Sequence, residues 1–253
     1  MPSIAWLAVS PIRGTALAPR DEIRLEIWGV ADNRRFYLVD DDGRRYTLTR
    51  AGELAAVAAE YDPDRERLGV RFPDGDVVEG TVELGEPVAT EFFGPRTVTG
   101  RIVGGPWAEA FSALAGRRLR LVKLDRPGQA HVPETTASLV SRASLDELAS
   151  RAGEAVDPRR FRMLVGIDGV AAHEEDDWIG RQVRVGDALL EPTDALARCA
   201  IPNRHPETGE IDLDTLGLIK SYRGVRDGDI DFGIVARVRE SGRVRVGDAV
   251  EPL

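Results

Sequence analysis

Ala197-Arg198-Cys199-Ala200-Ile201-Pro202-Asn203-Arg204-His205-Pro206-Glu207-Thr208-Gly209 holds the only cysteine of a 253-residue chain. Arg198 stands directly before the thiol, and Pro206-Glu207-Thr208-Gly209 closes the segment as a turn. A fixed cation beside a thiol favours the ionised form, which is both nucleophile and metal ligand. A lone cysteine is otherwise a small buried hydrophobe. The residues around the segment have to decide between the two.

Working outward, the chain reads as many short strands with few helices. Ile4 to Val9 and Ile23 to Trp28 read as strands, the second alternating apolar and charged residues. Arg35 to Val39 and Arg45 to Leu48 flank Asp41-Asp42-Gly43, and a second hairpin turns at Pro73-Asp74-Gly75. The Ala- and Leu-rich run from Arg50 to Glu60 predicts a helix. Thr97 to Val103 and Leu119 to Leu124 predict strands around a helix that Pro106 starts and Gly116 ends. Ser144-Leu145-Asp146-Glu147 reads as a capping box opening a short helix. Phe161 to Ile167 predicts a strand, and Leu213 to Tyr222 a helix despite Gly217. Phe232 to Arg239 and Arg243 to Val246 predict a final hairpin about Glu240-Ser241-Gly242. Val183-Arg184-Val185-Gly186-Asp187-Ala188 recurs as Val244-Arg245-Val246-Gly247-Asp248-Ala249, which suggests two similar strand-turn corners of one barrel. The polar, Pro- and Gly-broken stretch from Asp125 to Glu134 is the best boundary, giving units 1–125 and 126–253. The expected fold class is mainly β with some α.

Composition removes several functions. A net charge of −9 gives no basic face for phosphate backbones. Three histidines and one cysteine, without paired spacing, leave no zinc site and no internal iron–sulfur centre. Gly100-x-x-x-Gly104-Gly105 lacks the Lys-Ser/Thr of a phosphate loop, and Asp227-Gly228-Asp229-Ile230-Asp231 continues with Phe232 where a calcium loop needs glycine. One cysteine allows no internal disulfide, and Ile4 to Val9 is too short for a signal or a membrane span. A cytoplasmic protein is expected.

Cys199-x6-Pro206-x-Thr208-Gly209 behind Arg198, with Phe161-Arg162 and Glu175-Asp176-Asp177-Trp178 upstream, resembles a MOSC domain. That family is named for the C-terminal domain of molybdenum-cofactor sulfurase, and the pattern is most similar to its amidoxime-reducing branch. The resemblance implies a β-rich N-terminal domain packed on a MOSC β-barrel with peripheral helices, and a site at their junction. It implies a molybdenum-pterin cofactor (Mo-molybdopterin) with Cys199 as catalytic residue and molybdenum ligand, in chemistry independent of pyridoxal phosphate. Soft sulfur suits such a centre. Arg13, Arg35, Arg162 and Arg198 match the positions that grip the cofactor's phosphate and pterin, where the guanidinium fork donates paired hydrogen bonds. Of Glu134, Thr135 and Thr136, the two threonines match the family's clasping hydroxyls, preferred over Glu134 because a glutamate beside a phosphate is unfavourable. The family carries Lys-Ser where this chain has Arg13-Gly14, and Pro-Asn where it has Met163-Leu164. Asn203, Arg204 and His205 fall in the loop expected to face substrate, and the acidic run is either a solvated loop or a device placing Trp178. The implied activity is reduction of N-hydroxylated small molecules. Electrons come from an external donor, ferredoxin-like or a small haem protein with its reductase. A Cys199 persulfide carrier and a cofactor-binding protein without turnover are the alternatives.

Overall fold

The computed structural model describes residues 1–92, 94, 96–129 and 135–253. Three helices are long enough to name: α1 (Trp107–Ala115), α2 (Arg142–Ala152) and α3 (Thr215–Arg223). The rest is mostly strand. His131, Glu134 and the last five residues of the expected boundary lie outside the described residues.

The largest sheet has eight strands. In spatial order they are Val250–Pro252, Val183–Val185, Ala188–Ala197, Asp231–Glu240, Ala137–Ser141, Val165–Asp168, Ser3–Val9 and Ala18–Arg20. Most neighbours are antiparallel; Ala137–Ser141 and Val165–Asp168 run parallel, joined by a crossover through α2. The first strand of the chain thus completes a sheet built mainly from its second half. Leu7 pairs with Val165, and Ile4, Leu7 and Val9 are buried with Leu139, Ile167, Val185, Ile234 and Val244. The sheet curls towards closure: Ile4 N–H donates to the Asp248 carbonyl (2.9 Å) and Val250 N–H to that of Pro2 (3.0 Å). Its end strands do not pair with each other, so the expected barrel is an open, strongly curved sheet.

A five-stranded sheet (Arg45–Tyr46, Phe36–Val39, Arg120–Leu124, Arg96–Gly104, Glu83–Phe92) and a three-stranded one (Ala58–Asp62, Arg67–Arg71, Val77–Thr81) form the other body. Their core gathers Phe36, Leu38, Leu54, Tyr61, Leu68, Trp107 and Phe111. Both predicted hairpins, at Asp41-Asp42-Gly43 and Pro73-Asp74-Gly75, are present. Helix α1 begins after Pro106 and stops at Gly116, which takes the left-handed conformation at φ 61°.

Four local expectations are corrected by tertiary context. The helix expected over 50–60 is a short 3-10 turn, Gly52–Ala56, followed by the strand Ala58–Asp62. Ala59 and Tyr61 alternate inward there, and the Tyr61 ring meets Phe36 edge-on at 4.8 Å, so pairing and packing outweigh helix propensity. Helix α2 starts three residues ahead of the expected box: Ser141 is the cap, its hydroxyl accepting from Ser144 N–H (3.1 Å). The strand expected from Phe161 begins only at Val165, because Arg162 turns left-handed at φ 53°. The hairpin expected at 240–242 does not form. Gly242–Arg245 pairs instead with Glu22–Leu25, and a Cβ on Gly242 would overlap the Asp187–Ala188 backbone. The repeated corners do face one another, through Gly186 N–H to Ala249 O (3.1 Å) and Asp187 N–H to Arg243 O (2.9 Å).

The acidic run before Trp178 is not a solvated loop. Glu175 is fully buried, accepting from Ser141 N–H (3.0 Å) and the Ser144 hydroxyl (2.9 Å), and Trp178 lies in the core of the eight-stranded sheet. Among the described residues no helix is long and apolar enough to cross a membrane.

Candidate functional site

Cys199 lies two residues beyond the strand Ala188–Ala197, exposed, on the wall of a cavity of about 680 Å³ between the two bodies. The segment around it is held by backbone as much as by side chains. Arg198 N–H donates to Ile230 O (2.8 Å), and its guanidinium donates from Nη2 to Phe161 O (3.1 Å) and to the Met163 sulfur (3.1 Å). That guanidinium sits 5.1 Å from the Phe161 ring, itself stacked on Phe232 at 4.4 Å. Met163, where the family carries proline, is therefore a buried acceptor for the arginine beside the thiol, and Leu164 is apolar wall.

Arg162 is reached from the opposite side. Its left-handed backbone points the side chain across to the turn after the first strand, where Nη2 donates to the Ser10 hydroxyl (2.9 Å) and the Thr15 carbonyl (2.7 Å). Arg13 comes from that same turn, its N–H bound to Phe36 O (2.8 Å). Thr135 and Thr136 line the cavity, and the Thr136 hydroxyl donates to Ile27 O (3.3 Å). The structure thus brings together Cys199, Arg13, Arg162, Arg198, Thr135 and Thr136, drawn from positions far apart in the chain.

Arg35 is not among them. Its Nη1 donates to Leu124 O (2.5 Å), away from the cavity, beside Tyr61, Glu66 and Asp125. Its neighbour Arg34 lines the cavity instead, with a left-handed backbone (φ 52°) and its N–H on Ser10 O (2.8 Å). A single left-handed residue before the strand Phe36–Val39 exchanges which of two adjacent arginines faces inward. Arg45, from the next strand of the hairpin, also lines the cavity. The Arg34-Arg35 and Arg44-Arg45 doublets were visible in the sequence, but not which member of each turns inward.

The loop after Cys199 serves as scaffold. The Asn203 side-chain oxygen accepts from Leu216 N–H (3.0 Å) at the start of α3. Arg204 donates to Gly209 O (2.6 Å) and Thr49 O (3.1 Å), which ties the loop to the other body. His205 Nδ1 accepts from the backbone N–H groups of Glu207 (3.2 Å) and Thr208 (3.3 Å). None of the three lines the cavity.

The cavity is electrostatically one-sided. Among the described residues six arginines line it against one carboxylate, Asp194, which is drawn to Arg226 (3.0 Å); Arg160 is matched by Asp212 (2.6 Å). Burial, then the nearby charge of Arg34, pushes Arg162 down to about 9; burial pushes Arg198 down to about 9 as well, the Cys199 thiol opposing it and Arg34 adding to it. Arg13 is lowered by burial and by Arg34, Arg45 and Arg162, with the Cys199 thiol opposing. Holding these cations close together costs free energy that an anion in the cavity recovers. Arg198 Nε is buried without a partner, a donor left over within the protein. Phosphate-bearing, soft-metal chemistry fits these residues: guanidiniums and hydroxyls for oxyanions, one exposed thiol for the metal.

The model of the MOSC N-terminal beta barrel domain matches residues 1–104, and that of the MOSC domain residues 100–251. The chain is 27% identical to the Homo sapiens protein named mitochondrial amidoxime reducing component 2, over 98% of this chain and 82% of the relative. It is 31% identical to mitochondrial amidoxime-reducing component 1 of Xenopus laevis, over 98% and 81%. An Oryza sativa subsp. japonica protein named molybdenum cofactor sulfurase is 25% identical over 82% of this chain and 29% of its own length.

Proposed function

The chain belongs to the MOSC family, and on that premise we propose that it is a molybdenum-cofactor-dependent oxidoreductase that reduces N-hydroxylated small molecules. The observation that carries this reading is the exposed thiol of Cys199 on a cavity walled by arginines. In it, Cys199 is the protein ligand of the metal. Arg13, Arg34, Arg162 and Arg198, with the hydroxyls of Thr135 and Thr136, hold the phosphate and the pterin edge. When bound, the cofactor supplies two-electron reduction of an N–OH group to N–H with release of water.

The protein's own part is preorganisation. Arg162 is fixed by Ser10 and Thr15, and Arg198 by Phe161 and Met163, before any ligand arrives. Their desolvation and mutual repulsion are already part of the folded state, so binding needs little rearrangement. The exposure of Cys199 would leave a metal held at that thiol accessible to substrate. With one cysteine, the chain has no iron–sulfur relay of its own, so the electrons come from a separate ferredoxin-like or small haem protein with its reductase. Within this reading the chain divides at 125/126, with residues 3–25 of the first unit completing the sheets of the second.

Metal analysis of the purified protein with a pterin-oxidation fluorescence assay tests the reading. Molybdenum and pterin in equal amounts are expected, as is turnover of a simple hydroxylamine with a reduced viologen but not with NADPH alone. Absence of both molybdenum and pterin, with sulfur adducts on Cys199 after incubation with a cysteine desulfurase, would replace it by sulfur transfer.

A further inference from the structure

His205 takes no part in the cavity wall, yet it organises the loop that carries Cys199. Its Nδ1 accepts from the backbone N–H groups of Glu207 (3.2 Å) and Thr208 (3.3 Å), so that nitrogen is unprotonated and the ring proton sits on Nε2. Pro206, between them, has no N–H to offer. The arrangement is that of an aspartate or asparagine cap, with imidazole in place of the side-chain oxygen. Two further bonds close the same turn: Gly209 N–H to His205 O (2.9 Å) and His205 N–H to Glu210 O (2.7 Å). This turn clamps the loop on the other body. Gly209, left-handed at φ 73°, packs so closely on Gly52 that a Cβ on either would overlap the other's backbone. Arg204 bridges Gly209 O and Thr49 O, and Ile201 packs on the core that holds Phe36 and Leu54.

The charged groups around the imidazole are mostly acidic and mostly engaged. Glu207 and Glu210 lie in its own turn, Glu207 drawn to Arg159 (2.8 Å), which also holds Asp157 (2.6 Å). Asp212 is lowered by its hydrogen bonds to Arg160 and, more weakly, by the charge of His205. Asp214 at the start of α3 accepts from Gly217 N–H. From the other body come Arg50 and Glu53, the latter accepting from the Tyr46 hydroxyl. Among the described residues no other group accepts from the Glu207 and Thr208 amides. We propose that His205 is an acid-labile cap: a proton on Nδ1 removes the acceptor of both amides, opens the turn 205–210 and releases the Cys199 loop from Thr49 and Gly52. A ring N–H facing two amide N–H groups repels them, so the turn closes again only on deprotonation. Whatever the two bodies hold between them is then let go more readily in acid. The inference is independent of the cofactor reading, because the turn and its contacts are formed by the chain alone.

Hydrogen exchange of the full chain, resolved by residue and expressed as protection over the intrinsic rate at each pH, tests it. Histidines take up a proton between about pH 8 and about pH 5. Across that range the Glu207 and Thr208 amides are expected to lose protection about tenfold or more. Arg50 and Ala51, whose amides donate to Thr47 O (2.9 Å each) on the far side of the contact, should lose it with them. The amides of α1 should keep theirs; a fall shared by α1 marks global unfolding and overturns the cap. His205→Asn retains an acceptor that takes up no proton and should show no fall, whereas His205→Ala should be unprotected at both ends of the range. If His205→Asn does not fold, His205→Asp is judged by the same criterion. Protection independent of pH in the wild type overturns the cap. So does an equally steep fall in His205→Asn, which assigns the proton to Glu207, Glu210 or Asp212. Loss confined to Glu207 and Thr208, with Arg50 and Ala51 unchanged, overturns the release of the loop.

Discussion

Arg34→Gly separates what the cavity costs from what it does. Arg34 holds φ at 52°, a conformation that costs a non-glycine residue about 1–2 kcal/mol. Glycine releases that strain, while the freer unfolded chain takes back about 0.5–1 kcal/mol. Burial pushes the Arg34 guanidinium down, and its charge in turn lowers Arg13, Arg162 and Arg198. Removing it relieves all three. The cofactor-free variant is therefore expected to be as stable as the wild type or more stable by about 1 kcal/mol, raising Tm by about 2–4 °C in a protein of this size. Anion binding moves the other way. One charge-assisted contact is worth about 1.5–3 kcal/mol, roughly 10–150-fold in affinity. The assays are thermal unfolding of the cofactor-free protein and calorimetric titration of phosphate. A Tm several degrees lower with unchanged phosphate affinity would refute the reasoning and make Arg34 a structural arginine.

Cys199→Ser is expected to abolish molybdenum retention while changing stability by no more than about 0.5 kcal/mol, because the side chain is exposed; full metal content by elemental analysis would remove Cys199 as ligand. Gly52→Ala places a Cβ against the carbonyl oxygen of Gly209, where the cysteine loop meets the other body. It should cost about 1–3 kcal/mol by denaturant unfolding, and wild-type stability with unaltered cofactor retention would show that this contact is dispensable. Burial raises the Glu175 carboxyl above its ordinary value of 4.5, against the hydrogen bonds from Ser141 and Ser144 that lower it. The folded state thus holds this proton more tightly than the unfolded chain. The stability this contributes is full below pH 4.5 and is lost as pH rises through the raised folded value. Glu175→Gln should remove that slope and leave the protein at least as stable near pH 7; a loss of stability there would mean that the ionised carboxylate is what the Ser141 and Ser144 donors require.

The sequence by itself determined what short-range chemistry controls. Asp41-Asp42-Gly43 and Pro73-Asp74-Gly75 specify their hairpins because few residues accept those turn geometries, and Pro106 and Gly116 bound α1 for the same reason. The start of α3 at Thr215, two residues beyond the expected Leu213, is set by the Asp214 carboxylate accepting from the Gly217 N–H (3.0 Å). A Cβ at 217 would collide with that carboxylate, so the glycine that counts against a helix in the sequence is what admits the cap. Arg198-Cys199 with its spacing to Pro206 and Thr208-Gly209, taken together with Phe161-Arg162 and Glu175-Asp176-Asp177-Trp178, carried the family resemblance, which the family match bears out. Long-range pairing was beyond such reading. Residues 58–62 have helix-forming composition yet become a strand, since burying Ala59 and Tyr61 against Leu68 and Val70 gains more than propensity does. Gly242–Arg245 leaves the preceding strand for Glu22–Leu25, more than two hundred residues away in sequence. The choice of Arg34 over Arg35 turns on one left-handed backbone angle, which the surrounding fold imposes against local preference. The sequence supplied the arginines and the thiol; only the packing of two bodies, each held by contacts from distant parts of the chain, decided which of those charges share one cavity.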